Sequence, residues 1–455
     1  MMSESRPQDP YLPTPQTVET PPTTLWGALR RVGPGLILAS AIVGSGELIA
    51  TTVLGAEFGY SLLWLILLSC VIKIVVQHEM GRYAIATGET ALESFDRVRG
   101  PRWRVSWVVW LWFAMLLLSI FAVGGMLGAI GEVLHMIFPA VSITAWVWIV
   151  NLATIVLLIF GRYSLVEHVS MGLVASFTVL TVSCAAVLLK SPQYFSWADV
   201  AGGLSFTLPE GGLVTAIAVF GITGVGASEL VIYPYWCIEK GYARFAGPQD
   251  GSPGWKRRAE GWVGVMGVDI LSSLLIYTVS TVAFYLLGAG VLHGMGVVPV
   301  GSEMVDMLSN MFTATLGPSS RLLFLAGAVA VFYSTVFAAT AAHSRLCADF
   351  VSLIGVFDKR NYAARLIATR ISVVVLLGLP ATIFMFIREP VVMVTIGGVA
   401  EALMLPVIAF STVYLHHIHL PKLIVPQGWI TLALWITSAV MLLMMAYSIV
   451  LQLLG

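Results

Sequence analysis

Charge is scarce in this chain. Only 11% of its 455 residues are Asp, Glu, Lys or Arg, under half of the roughly 25% found in soluble domains. Hydrophobic residues make up 58%, and the mean hydropathy is +0.91, so the composition places the chain in a bilayer. An excess of either charge is missing too. Twenty-four basic residues balance 24 acidic ones, which excludes the basic surplus of a nucleic-acid binder and the composition of a disordered, highly charged protein. Cysteine is rare: Cys70, Cys184, Cys237 and Cys347 lie far apart with no CxxC pair, which argues against a disulfide framework or a zinc site. No Ser/His/Asp, HExxH or phosphate-loop constellation is present, so no enzyme is expected, nor any permanently bound cofactor.

What the chain has is long uncharged runs. A hydrocarbon core of about 30 Å takes roughly 20 helical residues to cross, and eleven runs qualify. Their approximate limits are 35–57, 61–83, 105–131, 143–161, 166–189, 212–237, 260–287, 321–347, 366–387, 391–415 and 428–454. The connections are short, so the chemistry lies within or across the membrane. Residues 1–31, rich in Pro and Thr, lack the early apolar stretch of a secretory signal and read as a disordered cytoplasmic tail.

The basic residues set the orientation. With the N-terminus inside, nineteen Lys and Arg fall on the cytoplasmic side and three outside, Lys190, Arg321 and Arg388. Eleven spans then leave the C-terminus outside, in a multipass protein of the inner cell membrane. These basic loops read as lipid-headgroup and topology anchors.

Two acids break the pattern of uncharged spans. A charge near the bilayer centre costs about 2.5–3.5 kcal/mol even on the most lenient scale, yet Glu47 sits in the first span and Glu229 in the sixth. Their contexts match: Gly44-Ser45-Gly46-Glu47-Leu48-Ile49 against Gly226-Ala227-Ser228-Glu229-Leu230-Val231, 182 residues apart. An offset of five spans puts the two copies in opposite orientations, the signature of an inverted repeat. Glycines beside the acids loosen the helix, and non-helical backbone at this depth is tolerated where it lines an enclosed or watery cavity. Carbonyls freed near Gly44, Gly46, Gly226 and Ala227, with Glu47 and Glu229 facing each other, make an oxygen-rich site for a hard cation. Two such carboxylates without a cation hold a proton between them. The alternative is that Gly-x-Gly allows close helix packing and each Glu bonds a neighbouring helix.

The run Gly33-Pro34-Gly35, the broken helix, Thr51-Thr52, then Gly55 to Trp64, Gln77, Arg82 and Thr87-Gly88 resembles the opening of the Nramp divalent-metal transporters. Ser334-Thr335 in the eighth span and a polar break in the tenth are weaker echoes. The resemblance implies an all-α, LeuT-type fold with two inverted five-helix repeats and helices 1 and 6 broken around the substrate. On this chain the first repeat covers 32–189. Helices 6 to 9 cover 212–387, helix 10 at 391–415 completes the second repeat, and helix 11 at 428–454 is extra. The family's ligands change here. Its Asp-Pro-Gly-Asn is Gly44-Ser45-Gly46-Glu47, and its Ala-x-x-Met-Pro-His aligns with Ala227 to Ile232. The Met sulfur and the His are absent, and an all-oxygen site suits Mg²⁺, Ca²⁺ or Mn²⁺ over softer metals.

Other polar groups stand in the spans, and the resemblance bears on Glu401 and His343 among them. The tenth helix borders the substrate site, so Glu401, after Gly397 and Gly398, is either a third acid or a local hydrogen-bonding group. Lys73 shares a helical face with Gln77 and reads as a counter-ion, a proton-route group or a side chain snorkelling to the inner interface. His343 is either a proton relay or a packing residue. Asp269, Glu167 and His168 read as structural or interfacial, and His416, His417 and His419 as a solvated loop. The expected function is secondary transport of a hard divalent cation by alternating access, linked to protons or not. The alternatives are transport of an amino acid or other organic solute, lined by Tyr233, Tyr235 and Trp236, and a non-transporting sensor.

Overall fold

The fourth span, Ile143–Phe160, is inside out by the standards of a protein in water. It turns Ile149, Leu152, Val156 and Phe160 outward, half or more exposed, while burying the polar Asn151 and Thr154. Such a face is stable only against lipid, and the exposed apolar side chains of the ninth and eleventh spans repeat it, as at Ile367, Ile371, Leu432 and Ile436.

The computed structural model describes residue 11 and residues 17–42, 46–160, 163–300, 304–426 and 428–454. Among these residues nine helices are long and apolar enough to cross a membrane. Each of the eleven expected spans is helical. The first is Pro34–Ile42 followed by the π-helical Gly46–Thr51 and Thr52–Phe58. The second is Leu63–Ile72 and Ile74–Thr87. The third to fifth are Trp107–Ile137, Ile143–Phe160 and Tyr163–Leu188. The sixth is Leu213–Ile222 and Ala227–Lys240, and the seventh Pro253–Leu287 with the π-helical Gly288–Leu292. Ser320–Leu353, Tyr362–Ile387, Pro390–Ile418 and Gly428–Leu454 complete the set. A short antiparallel pair at 102–106 is the strand structure among the described residues.

The sixth helix is interrupted between Ile222 and Ala227, the first passes into a π-helical turn from Gly46, and small residues bring the sixth against the tenth. A Cβ on Gly398 would lie 2.6 Å from the Ala218 carbonyl, and one on Gly221 would lie 2.7 Å from the Ala402 nitrogen. Backbone meets backbone there, as small residues allow in membrane helices.

Three expectations change. The tenth span has no break: Pro390–Ile418 is one helix through Glu401, with Pro406 inside it, because its glycines serve close packing, Gly397 against Ala122 of the third span and Gly398 against Ala218 of the sixth. The second span is interrupted, at Lys73. Residues 17–31 differ from a disordered tail. Leu25–Leu29 is helical and capped by Thr24, the Glu19 N–H donates to the Phe245 carbonyl at 3.1 Å, and the Glu19 carbonyl accepts from the Trp262 indole at 3.1 Å. Those partners lie on the connection after the sixth span and on the seventh, which gives this segment a surface to fold on.

Candidate functional site

The site grows out of the gap in the sixth span. After Ile222 the chain leaves the helix: Thr223 is extended, with φ −72° and ψ 136°, and Gly224 takes φ +67°, where a side chain would be strained. In a continuous helix the Gly224 N–H would pair with the Phe220 carbonyl. Here that N–H donates to Glu47 Oε1 at 3.1 Å, and the Phe220 carbonyl accepts from the Lys73 ammonium. An anion takes the freed donor and a cation takes the freed acceptor, which spares those two groups the cost that hydrocarbon imposes on a stranded one.

Glu47 is fully buried at the second position of the first span's π-helical turn. Its Oε2 accepts from Thr51, four residues on, at 2.8 Å, and Thr51 lies 3.2 Å from the Thr223 hydroxyl. Both carboxylate oxygens are thus engaged, and the first and sixth spans are fastened together through them.

Glu229 and Glu401 flank Gly226. A methyl carbon placed on Gly226 would sit 2.5 Å from an oxygen of each, so those oxygens approach within twice that distance. Gly226 begins the second half of the sixth span with φ −71° and ψ 177°, values any residue adopts. Its small size is what the two carboxylates require. Glu401 also caps this half-helix, taking the Ser228 hydroxyl at 2.9 Å and the Ser228 N–H at 3.3 Å, and both acids sit where the helix dipole favours negative charge. Glu401 is 8% exposed, while Glu229 keeps a larger part of its surface accessible.

Lys73 is completely buried, so it does not snorkel. Its ammonium donates to the carbonyls of Phe220 and, at 2.8 Å, Thr223, lies 4.8 Å from the Phe220 ring centroid, and interacts electrostatically with Glu401, Glu47 and Glu229. Ser69, one turn earlier, reaches the same two carbonyls at 3.3 and 3.0 Å.

The sequence pairs Glu47 with Glu229, and in the structure Glu401 also brings an oxygen to Gly226 beside Glu229, because the unbroken tenth helix presses against the gap. Among the described residues no three His, Cys, Asp or Glu side chains cluster to hold a metal ion. Gly44 lies outside the described residues. Gly46 has room beside Ile222, 3.6 Å from where its Cβ would stand, and Ala227 is buried at the start of the half-helix. His343 bonds the Ala339 carbonyl of its own helix at 2.8 Å, and its Nε2 is buried without a partner. Ser69, Thr51, Thr223 and Ser228 went unread as site residues. The i, i+4 spacing of Ser69 and Lys73 was the available signal.

Elsewhere, Asp269 clamps the start of the first span. It accepts the N–H groups of Gly33 at 2.8 Å and Gly35 at 2.5 Å and the Tyr233 hydroxyl at 2.9 Å. Asp349 takes the hydroxyls of Thr90 and Tyr235, both at 2.6 Å, and Arg365 at 3.3 Å. His416 is no loop residue: the tenth helix runs to Ile418, which buries His416 with its Nδ1 3.0 Å from Glu79 and its Nε2 3.1 Å from Thr431. Glu79 also holds Arg82 at 2.9 Å.

An interrupted sixth helix meeting the π-helical turn of the first at an acidic, buried gap, within a bundle of apolar spans, marks a multipass membrane protein of the LeuT-type fold. Residues 35–451 match the family model described as "Natural resistance-associated macrophage protein-like". The chain belongs to the Nramp family. An uncharacterized protein of Pasteurella multocida, PM0681, is 27% identical over 409 residues, 88% of each chain. The divalent metal cation transporter MntH 1 of Pseudomonas aeruginosa is 26% identical over 318 residues, 68% of this chain and 67% of its own. A crystallised histidine-to-alanine variant of the Eremococcus coleocola manganese transporter shares the fold, with a TM-score of 0.65 at 18% identity over 94% of this chain and 88% of that one.

Proposed function

We propose that this chain is a secondary transporter that moves a hard divalent cation, Mg²⁺, Mn²⁺ or Ca²⁺, by alternating access, with the Glu229–Glu401 pair as its cargo site. The carrying observation is the convergence of one oxygen from each acid on Gly226. Two like charges held so close and so buried repel unless a cation or a proton lies between them. Glu47, bonded through one oxygen to Gly224 and through the other to Thr51, adds charge and holds the gap. Three carboxylates against the Lys73 ammonium leave a formal excess of two negative charges, the charge of one divalent ion. The Gly226 carbonyl accepts the Leu230 N–H at 3.0 Å, so the carboxylate oxygens are the ligands, of the kind hard cations take. Entry of the cation displaces a proton from the pair, which links cargo to protons without a separate device.

The chain's place in a family with named divalent-metal transporters supports this reading. An organic solute is disfavoured because the aromatic side chains it would use are committed elsewhere. Tyr233 bonds Asp269, Tyr235 bonds Asp349, and Trp236 lies under the Arg345 guanidinium, 5.4 Å from its ring centroid. In this reading the protein sits in the inner membrane with its N-terminus in the cytoplasm and its C-terminus outside.

The test is uptake of Mg²⁺, Mn²⁺ and Ca²⁺ into proteoliposomes by the wild type, Glu229→Gln and Glu401→Gln. Uptake of at least one ion that both variants lose supports the proposal. Wild-type rates in both variants, or no uptake of any of the three ions, contradict it.

A further inference from the structure

Lys73 enters the cargo reading through its charge alone, and its hydrogen bonds are left without a task there. An ammonium at mid-span is expensive, and a counter-ion for the acids would be expected to bond a carboxylate. The hydrogen bonds of Lys73 go instead to the two carbonyls of the sixth-span gap. Those carbonyls, the Ser69 oxygen within 3.3 Å of both and the negative field of Glu47, Glu229 and Glu401 form the surroundings that a small monovalent cation takes at an unwound helix. One turn beyond Lys73 on the same face, Gln77 is fully buried with neither amide atom partnered.

We infer that the Lys73 ammonium is a tethered cation filling a monovalent-cation site built from the Phe220 and Thr223 carbonyls and the Ser69 hydroxyl. Because the charge is covalently attached, it satisfies the gap whether or not cargo is present. The carrier then needs no mobile Na⁺ or K⁺ at that point of its cycle. Removing the side chain leaves a hole with oxygen ligands, a negative field and no occupant. This deepens the transport reading and rests on it only for the consequence in the cycle, since the site itself is tested without cargo.

The experiment measures thermal unfolding of purified wild type and Lys73→Ala in divalent-free buffer containing choline, sodium or methylammonium chloride at equal ionic strength. Wild type is expected to melt at one temperature in all three salts. Lys73→Ala is expected to melt lower in choline and to shift upward, saturably, with sodium or methylammonium, as binding to the folded state requires. A variant indifferent to both small cations overturns the inference, as does one that cannot be recovered folded in any of the salts. A saturable sodium response in the wild type overturns it too. Because no divalent ion or transport enters the readout, these failures are separate from a failure of the cargo proposal.

Discussion

Glu401 of the tenth span holds Ser228 of the sixth through both its oxygens, at 2.9 Å to the hydroxyl and 3.3 Å to the N–H. The carboxylate that borders the proposed cargo is therefore also the cap of the half-helix beside it. In the proposed reading, an ion that drew Glu401 inward would pull on the start of that half-helix.

Ser228→Ala removes one of the two bonds and leaves the carboxylate in place. A hydrogen bond to a charged group is worth about 1.5–3 kcal/mol, so apparent cargo affinity is expected to weaken roughly ten- to hundredfold. Uptake titrations over cation concentration check this. An unchanged affinity would mean that the cap does not position Glu401.

Gly226→Ala places a methyl 2.5 Å from an oxygen of both Glu229 and Glu401, while the backbone at φ −71° accepts alanine. Overpacking of this kind costs about 1–3 kcal/mol, and it falls on the acid pair. Cation binding is expected to be lost with only a small fall in melting temperature. A large fall would mean that the backbone, not the pair, requires glycine.

Asp269→Ala strands the N–H groups of Gly33 and Gly35 and the Tyr233 hydroxyl. Unsatisfied buried groups cost about 1–3 kcal/mol each, so the melting temperature is expected to drop steeply. Cation affinity of the protein that remains folded stays near wild type, because Asp269 touches neither acid of the pair. A specific loss of affinity at normal stability would contradict that separation.

In the buried cluster around Glu79, Arg82 is the charge partner at 2.9 Å, while His416 links Glu79 to Thr431. Arg82→Ala leaves a buried carboxylate without its cation and is expected to cost about 3–5 kcal/mol. His416→Ala removes hydrogen bonds and should cost less. Thermal unfolding of the two variants gives the order directly, and the reverse order would contradict this account.

The bundle was legible because lipid imposes a simple rule, long uncharged runs closed on themselves, and the helices fall where those runs lie. Glu47 and Glu229 stood out for the same reason. Their partners did not. That Glu229 meets Glu401 depends on a Gly221–Gly398 crossing between residues far apart in the chain, which no local pattern encodes. Gly397 and Gly398 carry the same helix-loosening signal as Gly44 and Gly46, yet the tenth helix stays whole because those glycines face a neighbouring backbone. Lys73 was ambiguous for an equally physical reason: a long side chain in a membrane helix reaches either the interface or the interior, and the direction is set by the carbonyls of another span.

The most direct measurement is calorimetric titration of Mg²⁺, Mn²⁺ and Ca²⁺ into the purified protein, with Glu229→Gln and Glu401→Gln alongside. The expected result is saturable binding of at least one ion at a single site, lost in both variants. Binding that survives in either variant, or none in the wild type, would contradict the assignment of the Glu229–Glu401 pair as the cargo site.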